Sequence, residues 1–144
     1  MSDETERNKA LVRAWIETIE RRDIDTALTY ATEDSVWQGM APQGMTRVQG
    51  KEKFRVAVME FLDAMPDLKI DILDMVAEGD RVAIRLREVG HHTGIEWCGV
   101  KPAGARVEWY PFDFYRIENG LIAEEWFTDD PYTIFKCLGI KTIE

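Results

Sequence analysis

The hydrophobic period of the chain changes once, at Pro66, and that change restricts the fold more than any single motif does. Over residues 5–22, Leu11, Val12, Trp15, Ile16 and Ile19 recur at helical spacing with Glu and Arg opposite them. From Gly50 to Ala64 the set Phe54, Val58, Phe61, Leu62 and Met65 repeats the pattern until Pro66 closes it. Between them, Asp23 to Asp25 start a short second helix over residues 26–30. Asp34-Ser35-Val36-Trp37 reads as a short strand entering a loop with Gly39, Pro42 and Gly44. Beyond Pro66 the period falls to two. Residues 68–77 are strand-like, Glu78-Gly79-Asp80 turns the chain, and residues 81–90 alternate Val82, Ile84 and Leu86 against Ala83, Arg85 and Arg87. A loop with Gly94, Gly99, Pro102 and Gly104 leads to a third long strand, 107–117. Glu118-Asn119-Gly120 turns it into a fourth, 121–127. Helices first and an antiparallel meander after imply one α+β domain over residues 1–144, its helices packed on one face of a curved sheet.

A chain of 144 residues can bury one core around one enclosed pocket. Its 18 Lys and Arg against 27 Asp and Glu leave a net charge of -9, which repels phosphate backbones and anionic lipid, so no nucleic acid and no membrane surface is expected as partner. The N-terminus MSDETERNK has no apolar core and no 18 apolar residues run together, so the expected location is cytoplasmic. Cys98 and Cys137, far apart and without CxxC spacing, suit reduced thiols.

The later strands are aromatic on both faces, with Tyr110, Phe112 and Phe114 on one and Trp109 and Tyr115 on the other. A sheet that is apolar on both sides covers both, so one face takes the helices and a pocket. The other is expected to meet a second subunit in a homo-oligomer, dimer or tetramer.

His91 and His92, the only histidines, point to opposite faces of a strand end and cannot chelate one metal together. With no HxH, HExxH or Cys/His cluster, neither a metal nor a cofactor is expected, and no GxSxG, phosphate loop or dinucleotide fingerprint appears. Asp113 differs, because Trp-Tyr-Pro-Phe-Asp-Phe-Tyr sets one carboxylate among bulky rings in mid-strand. An acid in apolar surroundings is paired, here with Arg85, Arg87 or Arg116, or has its pKa raised toward that of a general base. Its cross-strand neighbour depends on the turn. A two-residue Asn119-Gly120 turn sets Asp113 against Trp126, whereas a three-residue Glu118-Asn119-Gly120 loop sets it against Glu125 and puts Phe127 on the Asp113 side.

The order and spacing of Arg22-Asp23, Asp34-Ser35-Val36-Trp37, Met65-Pro66-Asp67-Leu68, Ala77-Glu78-Gly79-Asp80-Arg81-Val82, His92-Thr93-Gly94, Gly99-Val100 and Pro102 to Gly104 extend over nearly the whole chain. They continue into Arg116-Ile117-Glu118-Asn119-Gly120-Leu121-Ile122-Ala123-Glu124-Glu125-Trp126 and Asp130 to Gly139. This pattern resembles the SnoaL-like polyketide cyclases, within the superfamily of nuclear transport factor two and ketosteroid isomerase. The resemblance implies a cone-shaped fold, a curved sheet and helices enclosing one hydrophobic pocket. It also implies cofactor-independent chemistry such as ring closure, isomerisation, dehydration or hydration of small hydrophobic molecules. Asp113 matches a pocket-facing acid or histidine, His92 the histidine before Thr-Gly, and Asp130 a second acid. Phe127 stands where the cyclases carry their catalytic aspartate, and the resemblance favours the three-residue turn.

The resulting expectation is proton-transfer chemistry on a hydrophobic carbonyl compound. Asp113 is the base, and His92 or the Tyr110 hydroxyl is the partner of the carbonyl oxygen, with Asp130 nearby. Tyr30, Trp37, Met40, Met65, Trp109, Tyr110 and Phe127 are expected to line the pocket. The alternatives are a non-catalytic binding domain for a hydrophobic ligand, with Phe127 marking the loss of catalysis, and an interaction module acting through its aromatic face.

Overall fold

The computed structural model describes residues 2–141. Helix α1 (Asp3–Glu20) is capped by Ser2, whose side chain accepts a hydrogen bond from the Thr5 amide, and Asp3, Glu4 and Glu6 complement the positive end of its dipole. It buries Val12, Trp15, Ile16 and Ile19, the stripe legible in the sequence. Helix α2 (Ile24–Leu28) follows, capped by Asp23. Strands β1 (Ala31–Ala41) and β2 (Gly44–Gln49) form a hairpin where the sequence suggested a short strand and a loop. Helix α3 (Lys51–Ala64) ends just before Pro66. Then come β3 (Lys69–Glu78), β4 (Arg81–His92), β5 (Ala105–Trp109), β6 (Phe112–Glu118), β7 (Leu121–Thr128) and α4 (Pro131–Leu138).

The sheet runs β2-β1-β7-β6-β4-β3, with β5 also paired to β4. It is not a pure meander, because β1 pairs with β7 in parallel and brings the first half of the chain into the middle of the sheet. The expected third strand is two strands, broken at Tyr110-Pro111. Proline has no N–H to donate to a ladder, and its carbonyl accepts from Leu86 instead. Register shifts in β1, in β3 and between β6 and β7 bend the sheet around the helices. Helices α1 and α3 close the inner face over Trp15, Trp37, Leu62, Met65, Val82 and Leu86.

The turn between β6 and β7 is the two-residue alternative, but the register beyond it matches neither alternative. Asn119 and Gly120, both at positive φ, make a two-residue turn with Glu118 opposite Leu121. An irregularity at Ala123 then adds a residue to β7, so Asp113 stands opposite Phe127 and Tyr115 opposite Glu125. The three-residue loop is therefore not what forms. The side of the sheet it assigned to Asp113 and Phe127 is nevertheless the observed one, because the bulge moves β7 by one residue as the longer loop does, in the opposite direction.

Phe112, Phe114 and Val76 remain exposed on the outer face, with Trp126 edge-on to Phe114 and Arg81 over the Trp126 ring. Both cysteines are free thiols. Among the described residues no helix is long and apolar enough to cross a membrane.

Candidate active site

Strand β4 puts Val82, Ile84, Leu86, Glu88, Gly90 and His92 on the buried side in strict alternation. Ile84 lies beside Asp113 of β6, and β7 extends the same wall through Glu125, Phe127 and Asp129. Helices α1 and α3 stand opposite. Between them is a cavity of about 700 Å³ with rings from Trp15, Trp37, Phe54, Phe61, Trp97 and Phe127 in its lining. Trp37 is held in place by Trp15, stacked at 5.9 Å, and by Phe54 at 4.1 Å. Gln43, Ala57, Glu60, Ile95 and Glu96 are lining residues that are also exposed, and they mark the mouth.

Four carboxyls share the interior: Glu88, Asp113, Glu125 and Asp129. The arginines considered as partners for Asp113 are engaged elsewhere. Arg85 bonds Asp74, Arg87 bonds Glu108 and Asp71, and Arg116 bonds Glu124 and Glu118. No Lys, Arg or His is among the residues lining the cavity. Burial pushes all four carboxyls upward, and repulsion by the other carboxyls adds to it for Glu88, Asp113 and Asp129. Desolvation is the main cause for Asp113, with the charges of Glu125, Asp129 and Glu88 adding to it. Glu88 is likewise raised well above the ordinary carboxylate range, by burial and then by Asp129 and Glu125. Glu125 is pushed up to about 7 by burial, which Tyr115 and Asp113 oppose by hydrogen bonding to its charged form. Asp129 also reaches about 7 through burial and the charge of Glu125. The Trp109 indole lies near enough to hold Asp129 back, although its Nε1 makes no hydrogen bond of ordinary length. Asp113 and Asp129 retain some accessible surface while enclosed by protein, because the space they face is the cavity itself.

The Tyr115 hydroxyl donates to Asp113 Oδ2 at 3.3 Å, and burial keeps this phenol protonated. Asp113 and Glu125 act on each other in opposite senses, raising the first and lowering the second, so Asp113 holds its proton where Glu125 ionises. A protonated acid, an ionisable base and a phenol thus meet at one wall of an aromatic pocket.

Of the residues expected from sequence, Asp113, Trp37 and Phe127 line the cavity and the others do not. His92 is buried, but its Nε2 is tied to the Ile95 carbonyl at 2.8 Å, where it holds the loop at the mouth. Tyr110 is exposed and donates to Glu108, because the break at Pro111 releases it from the sheet. Asp130 is exposed and caps α4 through the Thr133 amide and hydroxyl. Met65 is solid core, Tyr30 packs against the core, Trp109 lies behind the cavity wall, and Met40 alternates to the outer side of β1. Sequence reasoning missed Glu88 and Asp129 as pocket residues. Both had a signal, since Glu88 continues the inward phase of Val82, Ile84 and Leu86, and Asp129 that of Glu125 and Phe127.

These pKa values set the sign of a pH effect. Glu125 and Asp129 have ordinary values of 4.5 and 3.8 and folded values of about 7, so the folded protein holds protons that the unfolded chain releases. Their stabilising contribution is complete below the unfolded values and is lost as pH rises through about 7. Denaturant midpoints are expected to fall between about pH 5 and about pH 8, each group supplying at most roughly 1.4 kcal/mol per pH unit of its window. A midpoint that is flat or rising across that interval contradicts the assignment of these protons.

A family model described as SnoaL-like polyketide cyclase matches residues 9–138. No curated protein matches the chain. Among solved structures, the chain is 26% identical to AclR, a candidate hydroxylase from Streptomyces galilaeus, with a TM-score of 0.82 over 94% of this chain and 97% of that one. It is 24% identical to IdmH, a candidate polyketide cyclase from Streptomyces antibioticus, with a TM-score of 0.80 over 92% and 99%. A candidate SnoaL-like polyketide cyclase from Jannaschia sp. CCS1 shares 17% identity at a TM-score of 0.88, over 99% and 98%.

Proposed function

The chain belongs to the SnoaL-like polyketide cyclase family, and from that premise we propose that it is an enzyme that moves protons on a hydrophobic carbonyl compound held in the cavity. Cyclisation, isomerisation and dehydration all begin with the step the site supports, removal of a proton beside a carbonyl. One observation carries this reading: Asp113, which accepts a hydrogen bond from the Tyr115 hydroxyl, and Glu125, paired with Tyr115 across the strands, face one aromatic cavity whose lining holds no cation. The expected base role of Asp113 becomes the property of a pair. Glu125, ionised near neutral pH, takes the proton, and protonated Asp113, supported by the Tyr115 hydroxyl, supplies one to the carbonyl oxygen. This arrangement substitutes for the acid that the resembling cyclases carry at the Phe127 position.

The test uses a simple ketone. Tetralone in deuterated water should lose the protons next to its carbonyl faster in the presence of the protein, followed by proton NMR. The pH–rate profile should rise through about 7, where Glu125 ionises. Tetralone that binds without enhanced exchange instead supports the second reading, a binding domain that has lost catalysis.

The outer face suits a second copy of the chain. Its exposed Phe112 and Phe114 are ringed by the Arg85–Asp74 and Arg87–Asp71 pairs, so a copy related by a two-fold axis can set opposite charges against each other. Replacing Phe112 and Phe114 by serine should lower the molecular mass measured by light scattering to that of one chain. An unchanged mass excludes this face as the contact.

A further inference from the structure

Asp113 and Glu125 account for two of the four interior carboxyls, and proton transfer leaves Glu88 and Asp129 without a task. Glu88 is 7% exposed, lines the cavity and makes no hydrogen bond, yet its oxygens are not sealed off from the cavity space. Asp129 is the strongest charge acting on it. A buried carboxyl without a donor or a counter-ion is a standing cost to the fold, and glutamine or leucine would remove it. Glu60 and Glu96 add negative charge at the mouth, where both are exposed. Among the described residues no three His, Cys, Asp or Glu side chains converge in the way a metal ion requires. The complement of these carboxyls is therefore an organic cation, and six aromatic rings share the same lining.

We propose that Glu88 and Asp129 are the recognition site for a protonated amine, so that the cavity takes a hydrophobic compound carrying a basic nitrogen. This rests on reading the cavity as a substrate pocket, and it adds the substrate class. The ammonium group lies against Glu88 and Asp129 and the hydrophobic body against the aromatic walls, with its carbonyl at Asp113 and Glu125 of the same carboxyl cluster. An anionic substrate is excluded by the same charges. Binding is linked to protons: the groups facing the site are Glu88 from β4, Asp113 and Tyr115 from β6, Glu125 from β7 and Asp129 just beyond it, Glu60 from α3, and Glu96 and Cys98 from the loop after β4. Burial keeps Tyr115 and Cys98 protonated, so the interior carboxyls carry the change of charge near neutrality. An ammonium ligand expels their protons and binds more tightly as pH rises through about 7.

Three probes of one shape test this by isothermal titration calorimetry: aminotetralin, the neutral tetralol and tetralin carboxylate. At about pH 8 the amine is expected to bind at least about tenfold more tightly than the alcohol, with proton release seen in buffers of different ionisation enthalpy. The carboxylate should bind more weakly than both. The amine's advantage should shrink at about pH 5.5. Glu88→Gln should remove most of the amine's advantage over tetralol, and a cooperative thermal transition shows that the variant is folded. An alcohol that binds as tightly as the amine at about pH 8, or an advantage that survives Glu88→Gln, overturns the amine site and leaves the pocket reading standing. If none of the three probes binds, the pocket reading falls and the amine site with it.

Discussion

Asp113→Asn and Glu125→Gln are each expected to lower the rate of tetralone proton exchange by about 10²- to 10⁴-fold, the usual contribution of a positioned acid or base. The two carboxyls share a proton, so neither acts alone. Asparagine at 113 can still donate a hydrogen bond to Glu125, but it has no acidic proton to deliver to a carbonyl oxygen. Glutamine at 125 cannot accept the proton that must leave carbon. Because the two residues act as one unit, the double variant should be little slower than either single one. Multiplied losses in the double variant would mean that the two residues work independently and that the pair is not the catalytic group. Both replacements remove a carboxyl whose burial is costly, so melting temperatures should stay level or rise. A collapse of the fold would point instead to a structural role.

Gly39→Ala should damage stability strongly, costing about 3 kcal/mol or more. A Cβ at Gly39 would lie 1.9 Å from the Phe127 carbonyl oxygen and 2.8 Å from its carbonyl carbon and nitrogen, all backbone atoms. The clash cannot be relieved by turning a side chain, so β1 has to move away from β7. These strands are the parallel pair that joins the two halves of the chain, and Gly39 is the direct partner of Phe127 in the cavity wall. Chemical denaturation reads the loss. A variant as stable as the parent would show that β1 and β7 do not approach so closely in solution. Gly94 has a similar role at the mouth, where an added Cβ would meet the Asp63 carbonyl oxygen and lift the loop from the end of α3.

What could be read in advance follows from how each feature is encoded. The α1 stripe, the α3 stripe ending at Pro66 and the alternation of β4 are repeated local patterns, so they are legible without knowledge of what they pack against. Phe112 and Phe114 outside, with Trp109 and Tyr115 inside, came from the same alternation. Strand β2 was hidden, because Gly44-Met45-Thr46-Arg47-Val48 begins at a glycine, beside a proline, and carries only a faint alternation. Its form depends on pairing with β1. Asp113 was recognisable as an inward acid because it keeps the phase of Tyr115, its hydrogen-bond partner, although Tyr110, Phe112 and Phe114 beside it in sequence turn outward.

The sequence by itself determined the class of fold, the family, the buried faces of the long elements and the unusual position of Asp113, since all of these rest on local pattern and order along the chain. The tertiary structure alone decided the composition of the site. One extra residue at Ala123 set Asp113 against Phe127 and Tyr115 against Glu125. The break at Pro111 released Tyr110, a single carbonyl occupied His92, and β4 and β7 carried Glu88 and Asp129 into the same space from positions 41 residues apart. A strand's register fixes which side chains meet, and register is settled by pairing energies summed across the whole sheet, which no short stretch of sequence contains.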